Sequence, residues 1–340
     1  MRRFPALVIA VLGTAVTLSA CSSDSDGGNG GELGASGDFG DKPEITVPSE
    51  DPSEELVVDV LAEGDGAEVA SGDYLVVNYL GQTWEPRDPA DIPDDPAAAG
   101  AEPTDEPTDE PTEDSADAAD DSDGPVPYIF DNSYDRGEPV GFYVGVGQLI
   151  PGWDEGLVGQ QVGSRLLLSI PPEQGYGGQE GHDLAEDTLL FVVDIIEAFN
   201  AELAISGDPV EDLPEDLPTV SGDGVEEPAI DFGSAGEPVT ESTSDLLVAG
   251  DGPELGGNLV VKVVTASVET GEVAYSSWQQ SRVEVIPQAD VASIPGLAEA
   301  LEGQAEGSRV LTRISAADNP GADGSEGEPI VILIDVVGSY

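Results

Sequence analysis

The chain has 340 residues, 70 acidic and 10 basic, for a net charge of −60. That balance argues against a nucleic-acid role, because phosphate contact needs clustered Lys and Arg, and against direct adhesion to an anionic membrane surface. The length leaves room for two ordinary domains, and the single cysteine, Cys21, rules out an intramolecular disulfide.

At the N-terminus, Arg2 and Arg3 precede an apolar run from Phe4 to about Thr17. The run is short for a bilayer span and suits the apolar region of an export signal. It ends in Leu18-Ser19-Ala20-Cys21, which resembles a bacterial lipobox. That resemblance implies removal of residues 1–20 as a Sec-type signal peptide and a lipid anchor at Cys21, held by more than one acyl chain. It places the chain on the outer face of the bacterial cell membrane. An ordinary signal peptide followed by an incidental cysteine is the plainer alternative.

Residues 21–53 are rich in Gly, Ser and Asp and are expected to form a flexible tether. From Leu56 the pattern changes to β-branched runs broken by Gly-Asp-Gly and Ser-Gly-Asp turns. Residues 85–125 interrupt it with "EPTDEPTDEPTED". Regular proline and like charge there predict a disordered acidic insertion, which a hairpin tip can carry at small entropic cost. Strand patterns resume at "YIF", "GFYVG", "SRLLLSI" and "LLFVVDII". "PGWDEGLV" is a short helix candidate, with Pro151 at its start and Gly159 after its end.

Residues 200–244 are again acidic and rich in Pro and Gly, and read as a linker. Strands return over 245–340 in "NLVVKVV", "RVEVI", "SRVLTRI" and "IVILIDVV". The stretch "QLIPGWDEGLVGQQVGSRLLLSI" at 148–170 is matched without a gap by "ASIPGLAEALEGQAEGSRVLTRI" at 292–314. Repetition at that distance indicates a duplicated domain. The expected fold class is α+β, in two units over 54–199 and 245–340, each a twisted antiparallel sheet wrapped around one short helix.

Seven separated motifs of the first unit occur in an order that resembles FKBP-type peptidyl-prolyl cis–trans isomerases. They are "GDG" at 64–66, "VVNYLG" at 76–81, "FDNSYDRGEPV" at 130–140, "FYVG" at 142–145, "LIPGWDEGL" at 149–157, "VGSRLLLSIPPEQGYG" at 162–177 and "DTLLFVVDI" at 187–195. The resemblance implies an apolar pocket between sheet and helix. Tyr79, Asp131, the backbone N–H of Ile150 and the hydroxyl of Tyr176 would act on the substrate there. Phe130, Arg136, Phe142, Leu149, Trp153, Leu184 and Phe191 would line it. Leu184 is placed less directly, since its loop differs in length from the family pattern. Val140 and Gln148 depart from the commoner aromatic and Glu. Read without the family, Trp153, Phe142 and Phe191 are ordinary core residues, Asp131 caps a turn and Arg136 is a solvated charge; His182, in a Gly-rich loop six residues after Tyr176, is a solvated loop histidine, with a place on the pocket rim as the alternative.

The implied function is isomerisation of X–Pro bonds in exported polypeptides, with macrolides of the FKBP class as possible ligands and with no cofactor or metal. The alternative is a non-catalytic chaperone or client-binding scaffold on the same fold. In the repeat, Tyr79 becomes Val263, Phe130 Ala274, Asp131 Tyr275, Arg136 Gln280, Trp153 Leu297, Tyr176 Pro320 and Phe191 Ile332. The second unit is therefore expected to keep the framework and lose the activity.

Overall fold

The computed structural model describes residues 32–92, 124–179, 181–233, 240–320 and 327–340. The signal segment, Cys21 and residues 93–123 of the acidic insertion lie outside the described residues.

The segment expected to be a flexible tether is instead partly folded. Strands β1 (Gly34–Ser36) and β2 (Glu44–Thr46) form an antiparallel hairpin. Its Gly-rich composition is turn chemistry, since Gly37 and Gly40 both take φ of 90°, where side chains other than glycine's are strained. What fixes the hairpin is a buried cation. The Arg165 guanidinium donates to the carbonyls of Gly37 and Asp41, each at 2.7 Å.

Strands β3 (Val57–Ala62), β4 (Tyr74–Thr83), β5 (Ile129–Asn132), β6 (Val140–Tyr143), β7 (Arg165–Ile170) and β8 (Leu189–Phe199) form the first sheet. All pairs are antiparallel, in the order β3-β7-β8-β4-β5, with β6 also on β4. Helix α1 (Pro151–Leu157) starts on Pro151, whose fixed φ suits the first helical position. It lies tight against β7, because a side chain at Gly152 would meet Ile170 and one at Gly156 would meet Leu168. Leu75, Val77 and Tyr79 alternate toward this helix and join its core, while Val76 faces the other way. Every residue of β7 is buried, so both faces of the sheet are covered there. That accounts for its unbroken apolar run.

The linker assignment for 200–244 is also corrected. Strand β9 (Gly207–Pro209) joins the second sheet, and β10 (Thr219–Ser221) pairs with β11 (Ala229–Asp231) in a second hairpin. Its Val220 and Ile230, with Leu217 and Phe232, close over an apolar core. The sheet continues with β12 (Thr243–Gly250), β13 (Leu259–Ser267), β14 (Val273–Ser276), β15 (Glu284–Ile286), β16 (Arg309–Ile314) and β17 (Ile330–Ser339). Two short helices, α2 (Gln288–Val291) and α3 (Leu297–Ala300), stand where one was expected.

The strand order β12-β16-β17-β13-β14, with β15 on β13, repeats that of the first sheet strand for strand. The repetition reaches further back than the ungapped sequence match. "SGDFGDKPEI" at 36–45 and "SGDGVEEPAI" at 221–230 share Ser-Gly-Asp, Pro and Ile at one spacing. Gly222 offers its carbonyl to Arg309 at 2.7 Å, as Gly37 does to Arg165. Each hairpin therefore belongs to the unit that follows it.

The duplication also locates the insertion. β13 turns into β14 over residues 268–272, whereas β4 reaches β5 only after 84–128. The ladder nevertheless extends beyond β4. Arg87 and Val126 exchange backbone hydrogen bonds at 2.8 Å, and Arg87 lies 4.4 Å over the Tyr128 ring. Order thus runs past residue 85, into the stretch assigned to disorder, because this arginine is tied down.

The two units meet back to back. Val76 and Phe199 pack on Val260, Val283 and Val337. Lys262, wholly buried, donates to the carbonyls of Ala201, Leu203 and Gly224 at 2.9, 3.1 and 2.8 Å. Its burial lowers the ammonium pKa, and the carbonyl cage supplies the hydrogen bonds that water would have given.

Candidate active site

The first unit has a cavity of about 710 Å³ between α1, the inner face of the sheet and the loop after Tyr176. Its base is Trp153, near the start of α1 and only 6% exposed. Three rings stand around the indole. Tyr79 lies at 5.2 Å between centroids and 89°, Phe191 at 5.1 Å and 82°, and Phe142 at 5.0 Å and 57°. The edge-to-face contacts of Tyr79 and Phe191 each add about 0.5–1.5 kcal/mol beyond area burial. Phe130 completes the wall, at 5.5 Å and 80° from Phe191. Every pocket residue expected from the sequence, Leu149, Ile150, Tyr176 and Leu184 included, lines this cavity.

One side of the pocket is polar. Tyr79 donates its hydroxyl to Asp131, Arg136 pairs with the same carboxylate, and Arg136 also donates to the Tyr79 oxygen at 3.1 Å. Register explains the meeting. Asp131 lies opposite Gly81 on β4, two residues from Tyr79. Burial first, and then the Asp131 hydrogen bond, push the Tyr79 phenol up to about 12. Its proton therefore stays in place through the neutral range.

The sign of the resulting stability effect follows from linkage. Tyr79 contributes fully below pH 10, where tyrosine in the unfolded chain keeps its proton. The contribution shrinks as pH rises from there toward 12. We expect the urea midpoints of the wild type and Tyr79→Phe to differ by a constant amount up to pH 10 and to converge above it. A difference already falling at pH 8 would contradict the assignment.

Two donors in the cavity lack acceptors among the described residues. The Trp153 indole N–H is buried and unpaired, and the Ile150 N–H, just before α1, makes no backbone hydrogen bond. The Tyr176 hydroxyl, raised in pKa by burial, also has no partner among the described residues. The Ile150 N–H and the Tyr176 hydroxyl suit carbonyl oxygens of a bound chain, because a donor left unmet once a ligand covers it is costly.

His182 corrects the reading of a solvated histidine. Its ring stacks on Tyr176 at 4.1 Å and 11° and lines the cavity. Leu184 N–H donates to its Nδ1 at 3.2 Å. Gln179, Gly175 and Pro151 also line the cavity and were not anticipated. Nothing in residues 178–184 signals this packing, which depends on how the loop folds back. Arg87 fixes that fold from outside, reaching Asp183 at 2.5 Å and Asp187 at 2.7 Å.

The model of the family described as FKBP-type peptidyl-prolyl cis-trans isomerase matches residues 127–196. A "Probable FK506-binding protein" of Corynebacterium glutamicum is 32% identical over 159 residues, covering 46% of this chain and 99% of the relative. The chain belongs to the FKBP family. An "FK506-binding protein" of Streptomyces anulatus is 30% identical over 159 residues, 46% of this chain and 96% of the relative. The "FK506-binding protein 1A" of Neurospora crassa is 48% identical over 69 residues, 20% of this chain and 58% of the relative. The matched FKBP segment carries Phe130, Asp131, Trp153, Tyr176 and Phe191, and so most of the cavity wall.

Proposed function

We propose that the first unit is an active peptidyl-prolyl isomerase that assists the folding of exported, proline-containing polypeptides. The observation that carries this is the ring-walled cavity floored by Trp153. Rotation about an X–Pro bond faces a barrier of about 18–20 kcal/mol set by amide resonance. At the top of the barrier the amide is twisted and its carbonyl less dipolar, so water favours the planar ground state. A desolvated aromatic pocket removes that preference and holds the twisted form better.

Trp153 lies beneath the proline ring in this reading, with Tyr79, Phe142 and Phe191 as walls. Ile150 N–H and the Tyr176 hydroxyl bind substrate carbonyls, while Asp131, held by Tyr79 and Arg136, polarises the site. The relatives' names attach FK506 to those proteins, and a macrolide would enter the same hollow here. Val140 gives that hollow a thinner wall. The Leu18-Ser19-Ala20-Cys21 sequence supports a lipid anchor at Cys21, on the outer face of a bacterial membrane.

The second unit, on this reading, is a degenerate FKBP-like domain without isomerase activity. Leu297 is fully buried among Val263, Ile294 and Ile332, where the first unit keeps its indole and open hollow.

The test is exchange or protease-coupled isomerisation of a neutral Xaa-Pro peptide by the full chain. We expect clear acceleration, with kcat/KM about fivefold lower in Tyr176→Phe, the worth of one hydrogen bond. A wild-type rate equal to the uncatalysed one would defeat the proposal.

A further inference from the structure

The second unit touches the first behind one wall of the pocket. Strand β6 is four residues long and pairs only with β4, Tyr74 opposite Tyr143 through Val77 opposite Val140. Its side chains alternate. Val140 and Phe142 line the cavity, and Phe142 touches Trp153. Tyr143 points to the opposite face. There its hydroxyl donates to the Val283 carbonyl of the second unit, beside the Arg282–Glu284 ion pair. Burial pushes this phenol up to about 12, so the donor persists at neutral pH.

A second link lies alongside. The Tyr74 ring meets Tyr143 at 5.3 Å and 73°, and its hydroxyl is 3.0 Å from that of Tyr340 at the end of the chain. Phe199, closing β8, packs on Gly338, where any side chain would collide with its ring.

We propose that the second unit is a positioning element for the first unit's pocket, holding β6 and therefore Phe142 in place through Tyr143 and Tyr74. The proposal rests on reading that pocket as the isomerase site. It gives the duplicated unit a use that needs no pocket of its own. β6 is a short edge strand laddered to β4 alone; beyond its end Val144 bonds to Gly72 and Asp73, and Asp154 holds Gly145 and Gly147, while the second unit adds support on the face away from the cavity. Tyr143 is thus a positioning residue, since it meets no substrate.

The experiment uses the full chain and two variants. Tyr143→Phe removes one oxygen, and Gly338→Leu wedges the interface apart at Phe199. KM and kcat are measured on a neutral Xaa-Pro peptide, with melting temperature alongside. We expect Tyr143→Phe to raise KM about three- to tenfold with kcat within about twofold, the pattern of lost binding shared by ground and transition states. Gly338→Leu should move KM the same way and further.

A melting temperature that falls in Tyr143→Phe while KM stays fixed would make the interface merely structural and overturn the proposal. If Gly338→Leu does not fold, Tyr143→Phe decides alone. If the wild type itself fails to isomerise the peptide, the functional reading has failed. Anisotropy of a labelled proline peptide then decides this inference. A Kd raised three- to tenfold in Tyr143→Phe supports it, and an unchanged Kd overturns it.

Discussion

Trp153→Leu is expected to lower kcat/KM about 100-fold, which corresponds to about 2.7 kcal/mol of lost transition-state stabilisation. The chain itself carries this substitution in its second copy, where Leu297 is fully buried and the surrounding strands keep their order. The fold therefore tolerates leucine at the position, and far-UV circular dichroism should be unchanged. The indole provides more than volume. It lines the cavity, and Tyr79, Phe142 and Phe191 all pack against it at centroid distances of 5.0–5.2 Å. Leucine covers less area and leaves those rings free to tilt inward, so the hollow both shrinks and loses its floor. Retention of more than about a third of wild-type activity would show that the indole is not the floor of the working site. The reverse change, Leu297→Trp, added to the Trp153→Leu chain, is expected to restore none of the lost activity. The Tyr176 and Asp131 positions there hold Pro320 and Tyr275, and Pro320 has no hydroxyl to donate.

Much of this site could be read from the sequence because its residues sit in regular elements. Tyr79, Phe130, Asp131 and Phe191 stand in strand motifs that resemble the family's, and an irregularity in the β4–β5 pairing lets the adjacent Phe130 and Asp131 both reach the cavity. Trp153 follows a proline that fixes the start of α1, which sets its direction as well. The loop after Tyr176 is different. His182 lies at the cavity on a loop that Arg87, far away in the chain, ties down through Asp183 and Asp187. A single arginine at the edge of an acidic low-complexity tract gives no sign of that pairing.

The two hairpins are hidden in the sequence for a related reason. Short strands rich in Gly, Ser and Asp look like linker, because their order comes from a distant buried cation. "SGD" at 36–38 and again at 221–223 was nonetheless visible as a repeat. It lies some 185 residues apart, outside the 144-residue register of the matched cores, because the insertion intervenes in one unit only.

That buried cation carries the other large expected effect. Arg165 donates to Asp194 at 2.6 and 2.7 Å, with both side chains almost wholly buried. Asp194 also accepts from Gly40 N–H at 2.7 Å and from the Tyr134 hydroxyl at 3.0 Å. Hairpin, sheet and the loop after β5 therefore converge on one pair.

Removing either partner strands a buried charge, at a cost of about 3–5 kcal/mol, but the two removals are not equivalent. In Asp194→Leu the guanidinium cannot shed its proton, and only the carbonyls of Gly37 and Asp41 and the Tyr134 oxygen remain to it. In Arg165→Met the carboxylate keeps Gly40 N–H and the Tyr134 hydroxyl as donors. Urea unfolding at pH 7 should therefore show Asp194→Leu losing more stability than Arg165→Met.

The second unit supplies a control. Arg309 holds Asp335 in the same geometry, at 2.6 and 2.7 Å, but Lys262 stands close enough to act on that carboxylate. Arg309→Met should consequently cost less at pH 7 than Arg165→Met. Equal losses in the two units would mean that the buried lysine does not compensate, and that the two ion pairs are interchangeable in energy as well as in shape.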